Sequence, residues 1–216
     1  MRRLRFPSFG TGILALALAV GAAAAAPQSV PSNKIQVEGW EVAINERQPI
    51  PKVLAAMGAR PGLAIGEIGA GTGRVTVWLA DAVGPTGRVY ANDIDVAALE
   101  QLKARCAREK LANVQTIVGT VVDPKFPARS LDVAFMTNTY HHLDKPIELV
   151  RNIRAALKDT GRLVIVERDK ERCPADQRDE ATSPAEFVRQ MDQAGFQVIS
   201  TDKSMRVDNI YVARLK

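Results

Sequence analysis

The sequence predicts an α/β fold with a doubly wound, mostly parallel sheet, and three observations lead to that prediction. Strand-like and helix-like apolar segments alternate between residues 49 and 167. The strand-like segment 63–68 turns through glycines directly into an amphipathic helix. A helix and two short strands, expected as an antiparallel pair at the sheet edge, close the chain. Alternation of this kind favours parallel strands joined by helical crossovers, with helices on both faces of the sheet.

Residues 1–26 have the layout of a secretory signal peptide. Three arginines within the first five residues precede an apolar run over 12–20 and an alanine tract that ends at Ala26. An uncleaved membrane anchor is the second choice, because the run barely reaches the roughly 20 apolar residues that a span needs. We therefore expect export to the periplasm or the medium, with membrane contact only if this segment is retained as an anchor.

Residues 27–46 are expected to form an irregular lead-in, and residues 47–216 a single domain. Without the three N-terminal arginines the formal charge falls from +5 to +2, so composition does not indicate a nucleic-acid partner. Cys106 and Cys173 are too few for a disulfide framework, although an oxidising compartment would allow them to pair. No group of cysteines and histidines has the spacing of metal ligands, and we predict no metal site.

The helices and strands of the domain follow in a regular order. A short helix over 49–57 has its apolar residues on one face and tolerates Pro51 in its first turn. Gly58 and Pro61 end it before the first strand. Turn-bounded apolar runs predict the other strands, and helical periodicity predicts the helices between them. The helices are expected over 75–83, 96–110 and 147–157 and from Ser183 onward, and the strands over 88–92, 113–118, 131–136, 162–167, 197–200 and 209–214.

Three glycines at alternate positions, Gly69, Gly71 and Gly73, follow the first strand. A strand that turns through glycines into a helix is typical of a nucleotide site, because glycine lets a ligand approach the main chain closely. The dinucleotide pattern Gly-x-Gly-x-x-Gly fits in no frame. The pattern Glu67-x-Gly-x-Gly-x-Gly instead resembles class I S-adenosylmethionine-dependent methyltransferases, and the resemblance covers about residues 47–214.

This resemblance implies a Rossmann-like, seven-stranded sheet with an antiparallel last strand. It implies S-adenosylmethionine as cofactor and direct, in-line transfer of its methyl group to a small-molecule acceptor. It further implies that Glu67 and the backbone of 69–73 hold the methionine part, and that Ile94 packs against adenine. Two other classes stay open: a non-catalytic nucleotide-binding module of the same fold, and a dinucleotide oxidoreductase, which the glycine spacing disfavours. The charged segment 170–182 is either a solvated loop or a lid over the acceptor.

Polar side chains follow the second and third strands. Asp93 lies 20 residues after Gly73, where an acid can accept both ribose hydroxyls, and a turn or cap role is its alternative. Asp95 is the expected N-cap of the next helix. The resemblance aligns Thr120 with an acid that often accepts the adenine amino group, which leaves the adenine contact open, and Asp123 is expected to shape a turn.

The segment after the fourth strand carries both histidines of the protein. Ligands of open α/β sheets bind at the carboxyl ends of strands, so residues 137–143 should face cofactor and acceptor. We expect Asn138 at the cofactor, and Tyr140 or His141 to steady or deprotonate the acceptor. The structural alternatives are that Asn138 bonds its own loop and that His142 packs against the next helix.

Overall fold

The computed structural model describes residues 35–216, and the predicted alternation of strands and helices runs through them. The strands are β1 (Ala64–Ile68), β2 (Arg88–Asp93), β3 (Val114–Val118), β4 (Leu131–Thr137), β5 (Leu157–Arg168), β6 (Phe196–Asp202) and β7 (Asp208–Leu215). The helices are α1 (Val42–Arg47), α2 (Ile50–Met57), α3 (Thr76–Val83), α4 (Val96–Arg108), α5 (Pro146–Ile153) and α6 (Pro184–Gln193). The segment expected to be a signal peptide lies outside the described residues. None of the helices within 35–216 has the length and apolar content needed to cross a bilayer.

The seven strands form one sheet in the order β3-β2-β1-β4-β5-β7-β6. Strands β1 to β5 run parallel, and β7 is antiparallel to both of its neighbours, β5 and β6. The strand order reverses between the adjacent strands β1 and β4, and crevices for ligands form at such a reversal, outside the carboxyl ends of the strands. The predicted seven-stranded sheet with an antiparallel last strand is confirmed.

Helices cover both faces because successive strand residues point to opposite sides. Val133 and Phe135 of β4 pack with α2 and α3 on one face, whereas Ala134 and Met136 pack with α5 and α6 on the other. A smaller cluster holds α4 beside α3. The two apolar layers pack the sheet against helices on both faces. The loops at its carboxyl edge therefore start from strands that are fixed in position.

The prediction of an irregular lead-in over 27–46 is wrong for residues 39–46. Gly39–Glu41 forms a 3₁₀ turn, and α1 follows it directly. The buried carboxylate of Glu41 accepts from Arg105 Nη1 at 2.5 Å and from its Nη2 at 3.1 Å, which fastens the lead-in to α4. Glu41 and Arg105 are 64 residues apart, so no local sequence pattern predicts this ion pair.

The helix predicted over 147–157 is α-helical to Ile153 and continues as a 3₁₀ turn over Arg154–Ala156, and β5 begins at Leu157. The carbonyls of 155–156, at the end of this helical segment, accept at 2.9 Å from the backbone amides of 129–130. Leu157 then pairs with the first residue of β4. The helical segment therefore ends one residue before the predicted boundary, where the chain joins β4.

Both cysteines are buried and free, so they do not pair. Cys106 lies on α4, and burial raises the pKa of its thiol to about 11. A thiol with that pKa is a poor nucleophile near neutral pH and acts as a small apolar side chain.

Candidate functional site

A pocket of about 350 Å³ opens at the carboxyl ends of β1, β2 and β4, where the strand order reverses. Loops after four strands contribute to its wall. Five residues that the sequence singled out line it: Gly69, Asp93, Ile94, Thr120 and Asn138. The sheet therefore brings together residues that lie up to 69 positions apart in the chain.

The glycine loop supplies one wall of the pocket. Gly69 has a φ of 71°, and a Cβ there would lie 2.2 Å from Thr139 Oγ1, so the backbone passes directly beside the β4 loop. Gly71 has a φ of 53°, and a Cβ there would meet no atom within 4 Å. Gly73 lies outside the pocket lining, and its carbonyl accepts from Val77 N at 3.4 Å in the first turn of α3. The loop thus needs left-handed backbone angles, and the space beside Gly71, which like Gly73 is outside the pocket lining, is open.

Asp93 is the acid at the pocket. Its Oδ2 accepts from the Gly71 amide at 2.7 Å, and its Oδ1 accepts from the Asp95 amide at 3.0 Å. Each carboxylate oxygen has further acceptor capacity beyond one backbone bond. Asp95 itself caps α4, as predicted, accepting from Ala97 N at 2.8 Å. The carboxylate of Asp93 is thus held in one orientation against the glycine loop.

The mouth of the pocket carries exposed apolar side chains. Ile94 is 59% exposed and Val121, which the sequence analysis did not single out, is 50% exposed. Thr120 lines the pocket, but its hydroxyl oxygen accepts from the Asp123 amide at 3.0 Å, in a local turn. Asp123 accepts in turn from Lys125 N at 2.8 Å, which is the predicted turn-shaping role. These apolar side chains suit a flat, apolar ring more than a charged group.

Glu67 lies behind the glycine loop and outside the pocket lining. It is 2% exposed, and Thr76 Oγ1 donates to its Oε2 at 2.5 Å. Burial raises the pKa of Glu67 to about 7, against the opposing effects of the Thr76 hydrogen bond and the positive charge of Arg74. In this arrangement Glu67 fastens β1 to the start of α3 and supports the loop from within.

A buried network ties the lead-in to the pocket. Gln48 is fully buried, and its Oε1 accepts from Arg74 Nη2 at 2.9 Å and from Asn138 Nδ2 at 3.0 Å. Its Nε2 donates back to Asn138 Oδ1 at 2.8 Å, so the two amides form a reciprocal pair. Asn138 has a φ of 51°, a left-handed angle that asparagine tolerates. Asn138 therefore both lines the pocket and holds its loop to the helices at the start of the domain.

Tyr140 lies outside the pocket lining, and its role at the acceptor stays a prediction. Its ring is buried against Phe187 of α6, with ring centroids 5.0 Å apart, and its hydroxyl donates to Gln190 Oε1 at 2.5 Å. Burial raises the pKa of Tyr140 above its usual value. The ring packs against Phe187 in the apolar core. This packing fixes the orientation of the ring and directs its hydroxyl toward Gln190.

The two histidines lie side by side at the end of β4. His141 Nδ1 is 2.9 Å from Glu167 Oε1 at the end of β5, and the centroids of the two imidazole rings are 4.1 Å apart. His142, rather than His141, lines the pocket. Thr139 and Leu143 also line it, within the segment 137–143 that the sequence predicted to face the cofactor, and Asp144 and Leu149 are lining residues that the sequence analysis did not assign. Asp144 lies one residue beyond that segment and Leu149 lies on α5, so no motif in the sequence marked them.

Comparison with known proteins adds three findings. Residues 66–165 match the protein family described as "Methyltransferase domain". The chain is 30% identical over 116 residues to the demethylmenaquinone methyltransferase of Lactococcus lactis, covering 54% of this chain and 46% of that protein. It is 32% identical over 114 residues to the ubiquinone/menaquinone biosynthesis C-methyltransferase UbiE of Ectopseudomonas mendocina, covering 52% and 44%.

A solved structure resembles the fold over most of both chains. The crystal structure of a SAM-dependent methyltransferase from Aquifex aeolicus matches with a TM-score of 0.76, covering 81% of this chain and 94% of that one. The two sequences are 23% identical, so this likeness concerns the fold. Among the curated relatives, the chain spans less than half the length of the two proteins named above.

Proposed function

Because this chain belongs to the class I S-adenosylmethionine-dependent methyltransferase family, we propose that it transfers a methyl group to a small-molecule acceptor. The observation that carries this proposal is the pocket in which Asp93 ends β2 against a left-handed glycine loop. When bound, S-adenosylmethionine supplies a methyl group on a positively charged, readily displaced sulfur.

The residues of the pocket fit the parts of this cofactor. Asp93 would accept from two ribose hydroxyls with the capacity left beyond its backbone bonds. Ile94 and Val121 would cover the faces of adenine with apolar surface. The space beside Gly71 would admit the methionine part close to the main chain.

For this methyl transfer the protein mainly has to hold the cofactor and the acceptor in line and to exclude water from them. It does not have to form a covalent bond to either. Holding two reactants in line replaces a bimolecular encounter by an effectively unimolecular step. The buried network of Gln48, Arg74 and Asn138 fixes the β4 loop, and the apolar core beneath it fixes the strands. Such pre-organised walls are what in-line transfer needs.

A small-molecule acceptor is the class that the relatives favour. Both curated relatives named above are described as acting in quinone biosynthesis or on a demethylated quinone. The described residues 35–216 form only the core sheet and its covering helices, without a second lobe for a large partner. We extend the small-molecule assignment to this chain on those two grounds.

Two experiments in sequence test the proposed function. Thermal-shift titration with S-adenosylmethionine, S-adenosylhomocysteine and NAD distinguishes a methyl-donor site from a dinucleotide site. Stabilisation by the first two ligands and not by NAD is the expected result, and stabilisation by NAD alone contradicts it.

Transfer is then measured with S-adenosylmethionine labelled in the methyl group, against a panel of phenols, reduced quinones, thiols and amines. We expect labelled product and stoichiometric S-adenosylhomocysteine. Tight cofactor binding with no transfer to any member would favour the non-catalytic binding module instead.

We also propose that the chain is exported. Three arginines, an apolar run and an alanine tract precede the domain, and this order supports a cleaved signal peptide. S-adenosylmethionine is made inside cells, so an exported enzyme needs its donor delivered across the membrane. Fractionation with N-terminal sequencing decides the matter: mature protein outside the cytoplasm that begins after Ala24 to Ala26 is expected, and a cytosolic chain that begins at Met1 contradicts it.

A further inference from the structure

A second pocket lies at the edge of the sheet opposite the candidate cofactor site. Its volume is about 850 Å³. Strands β5 and β6 start beside it and β7 ends beside it, whereas the cofactor pocket opens where β1, β2 and β4 end. Arg162, Arg214 and Lys216 line this amino-edge pocket, and among the described residues the two linings share none. A ligand held there is therefore separate from the methyl-donor site.

Arg162 and Arg214 stand directly opposite each other on β5 and β7. Directly opposite residues of antiparallel strands point to the same face of the sheet, and like charges in such a pair lower stability. Arg162 Nη2 donates to the Met57 carbonyl at 3.0 Å, and two guanidinium nitrogens of Arg214 donate to Gln197 Oε1 at 3.0 and 3.2 Å. Both acceptors are neutral, so these bonds leave the repulsion between the two positive charges in place.

No carboxylate of the described residues forms an ion pair with either of these arginines. The acid in the pocket lining is Asp159, whose Oδ2 accepts from Arg129 Nη2 at 2.8 Å. Lys216 already pairs with Asp192. One nearby acid is thus engaged by Arg129 and the other by the lysine, so the positive charges of the two opposed arginines are left for a ligand.

The end of α2 adds a third arginine beside this pair. A Cβ on Gly58 would lie 3.1 Å from Arg162 Nη2 and 4.0 Å from Arg60 Nη1, so both guanidiniums flank this glycine. Arg60 Nη1 also donates to the Gly58 carbonyl at 3.3 Å. Cations are favoured at a helix C-terminus, which accounts for one bond from each of these two side chains. It does not account for Arg214, and a guanidinium carries five donors, so most donors of the three side chains are unused within residues 35–216.

We propose that the amino-edge pocket binds a phosphate monoester or free phosphate between Arg162 and Arg214. Such a group carries nearly two negative charges near neutral pH, which matches two guanidiniums, whereas a carboxylate carries one. Its oxygens accept bidentate bonds from the planar guanidinium fork. Thr160 and Gln197 in the lining add neutral hydrogen-bonding groups. The inference is independent of the proposed methyl transfer, because the two pockets lie at opposite edges of the sheet.

Titration with inorganic phosphate tests the site without any measurement of turnover. The full chain, labelled with ¹⁵N, is titrated at constant ionic strength, and its backbone amide signals are followed by NMR. We expect saturable shifts that are largest at residues 160–162 and 214–216. Shifts that grow without saturating, or that are spread over the whole surface, show an adventitious ion only and overturn the proposal.

Variants of Arg214 show whether binding depends on the opposed pair. Arg214→Gln should weaken phosphate binding by at least roughly tenfold, and Arg214→Lys, which keeps the charge but loses the fork, should weaken it less. Without phosphate, Arg214→Gln should unfold at a temperature no lower than the wild type, because it removes one of two like charges. Arg178→Gln is the matched control, because Arg178 is exposed at the opposite edge of the sheet, and its affinity should stay within about twofold of the wild type. Equal affinity in the wild type and Arg214→Gln overturns the proposal.

Vesicles then distinguish the two sources of a phosphate monoester, a lipid head group and a small molecule. Sedimentation compares phosphatidylcholine vesicles with and without phosphatidic acid, whose head group is a phosphate monoester. Once free phosphate is shown to bind, capture that requires both phosphatidic acid and Arg214 identifies the lipid, and its absence identifies a phosphorylated small molecule. Either result supports the proposal. Failure of the wild type to bind S-adenosylhomocysteine would contradict the proposed function alone.

Discussion

Replacing Glu67 by Gln should change how the stability of the protein depends on pH. Burial raises the pKa of this carboxyl from 4.5 to about 7, so the folded protein binds its proton more tightly than the unfolded chain does. The free energy of unfolding therefore falls as pH rises from about 4.5 to about 7 and stays lower above that range. At about 1.4 kcal/mol for each pKa unit, the loss amounts to about 3 kcal/mol.

Glu67→Gln keeps an oxygen that can accept from Thr76 and removes the titrating group. Chemical denaturation at a series of pH values from about 4 to about 8 should show a flatter profile for the variant. At about pH 8 the variant should be the more stable protein, by up to about 3 kcal/mol. Glu100→Gln is the matched control, because the Glu100 side chain is 62% exposed and should change stability by less than about 0.5 kcal/mol. Parallel profiles for the wild type and Glu67→Gln would refute the argument.

Three further variants test separate parts of the structure. Arg105→Met leaves the buried Glu41 carboxylate unpaired, and denaturant unfolding should show a loss of about 3–5 kcal/mol in the free energy of unfolding. Arg108→Met changes a half-exposed position on the same helix and should lower that free energy by less than about 1 kcal/mol. Tyr140→Phe removes one hydrogen bond to Gln190 and should lower stability by about 1 kcal/mol while leaving turnover unchanged; a large loss of turnover would restore Tyr140 to the acceptor site. Gly69→Ala places a methyl group against Thr139 at a left-handed angle, so thermal unfolding should report a loss of at least about 1 kcal/mol, and unchanged stability would contradict the described loop.

The fold and much of the pocket wall follow from local sequence because the constraints there are local. A buried strand, a glycine turn and a helix occupy adjacent residues, and Asp93 follows at the end of the next strand. The strand and the helix are visible in the sequence as hydrophobic periodicity. The turn is visible because its backbone angles require glycine. The family resemblance placed Ile94 and Thr120 at the cofactor, and the position of Asn138 after the fourth strand placed it there; all three line the pocket.

The polar pairs could not be found in this way. Gln48 and Asn138 are 90 residues apart, and His141 and Glu167 are 26 apart, so neither pair has a periodicity. A polar side chain buried against a partner and one exposed to water look the same in sequence. The position of Tyr140 after β4 did not show that its ring packs against Phe187 of α6, because that contact joins residues 47 positions apart.

The central claim is that Asp93 and the glycine loop bind the methyl donor, and calorimetric titration with S-adenosylhomocysteine tests it most directly. Asp93→Ala removes a charged acceptor at the pocket and should weaken binding by roughly 1.5–3 kcal/mol, on the order of 10- to 150-fold. Asp95→Ala, two residues away, removes only the cap of α4 and should lower stability by about 1 kcal/mol without changing affinity. Wild-type affinity in Asp93→Ala, or an equal loss of affinity in both variants, would contradict the account.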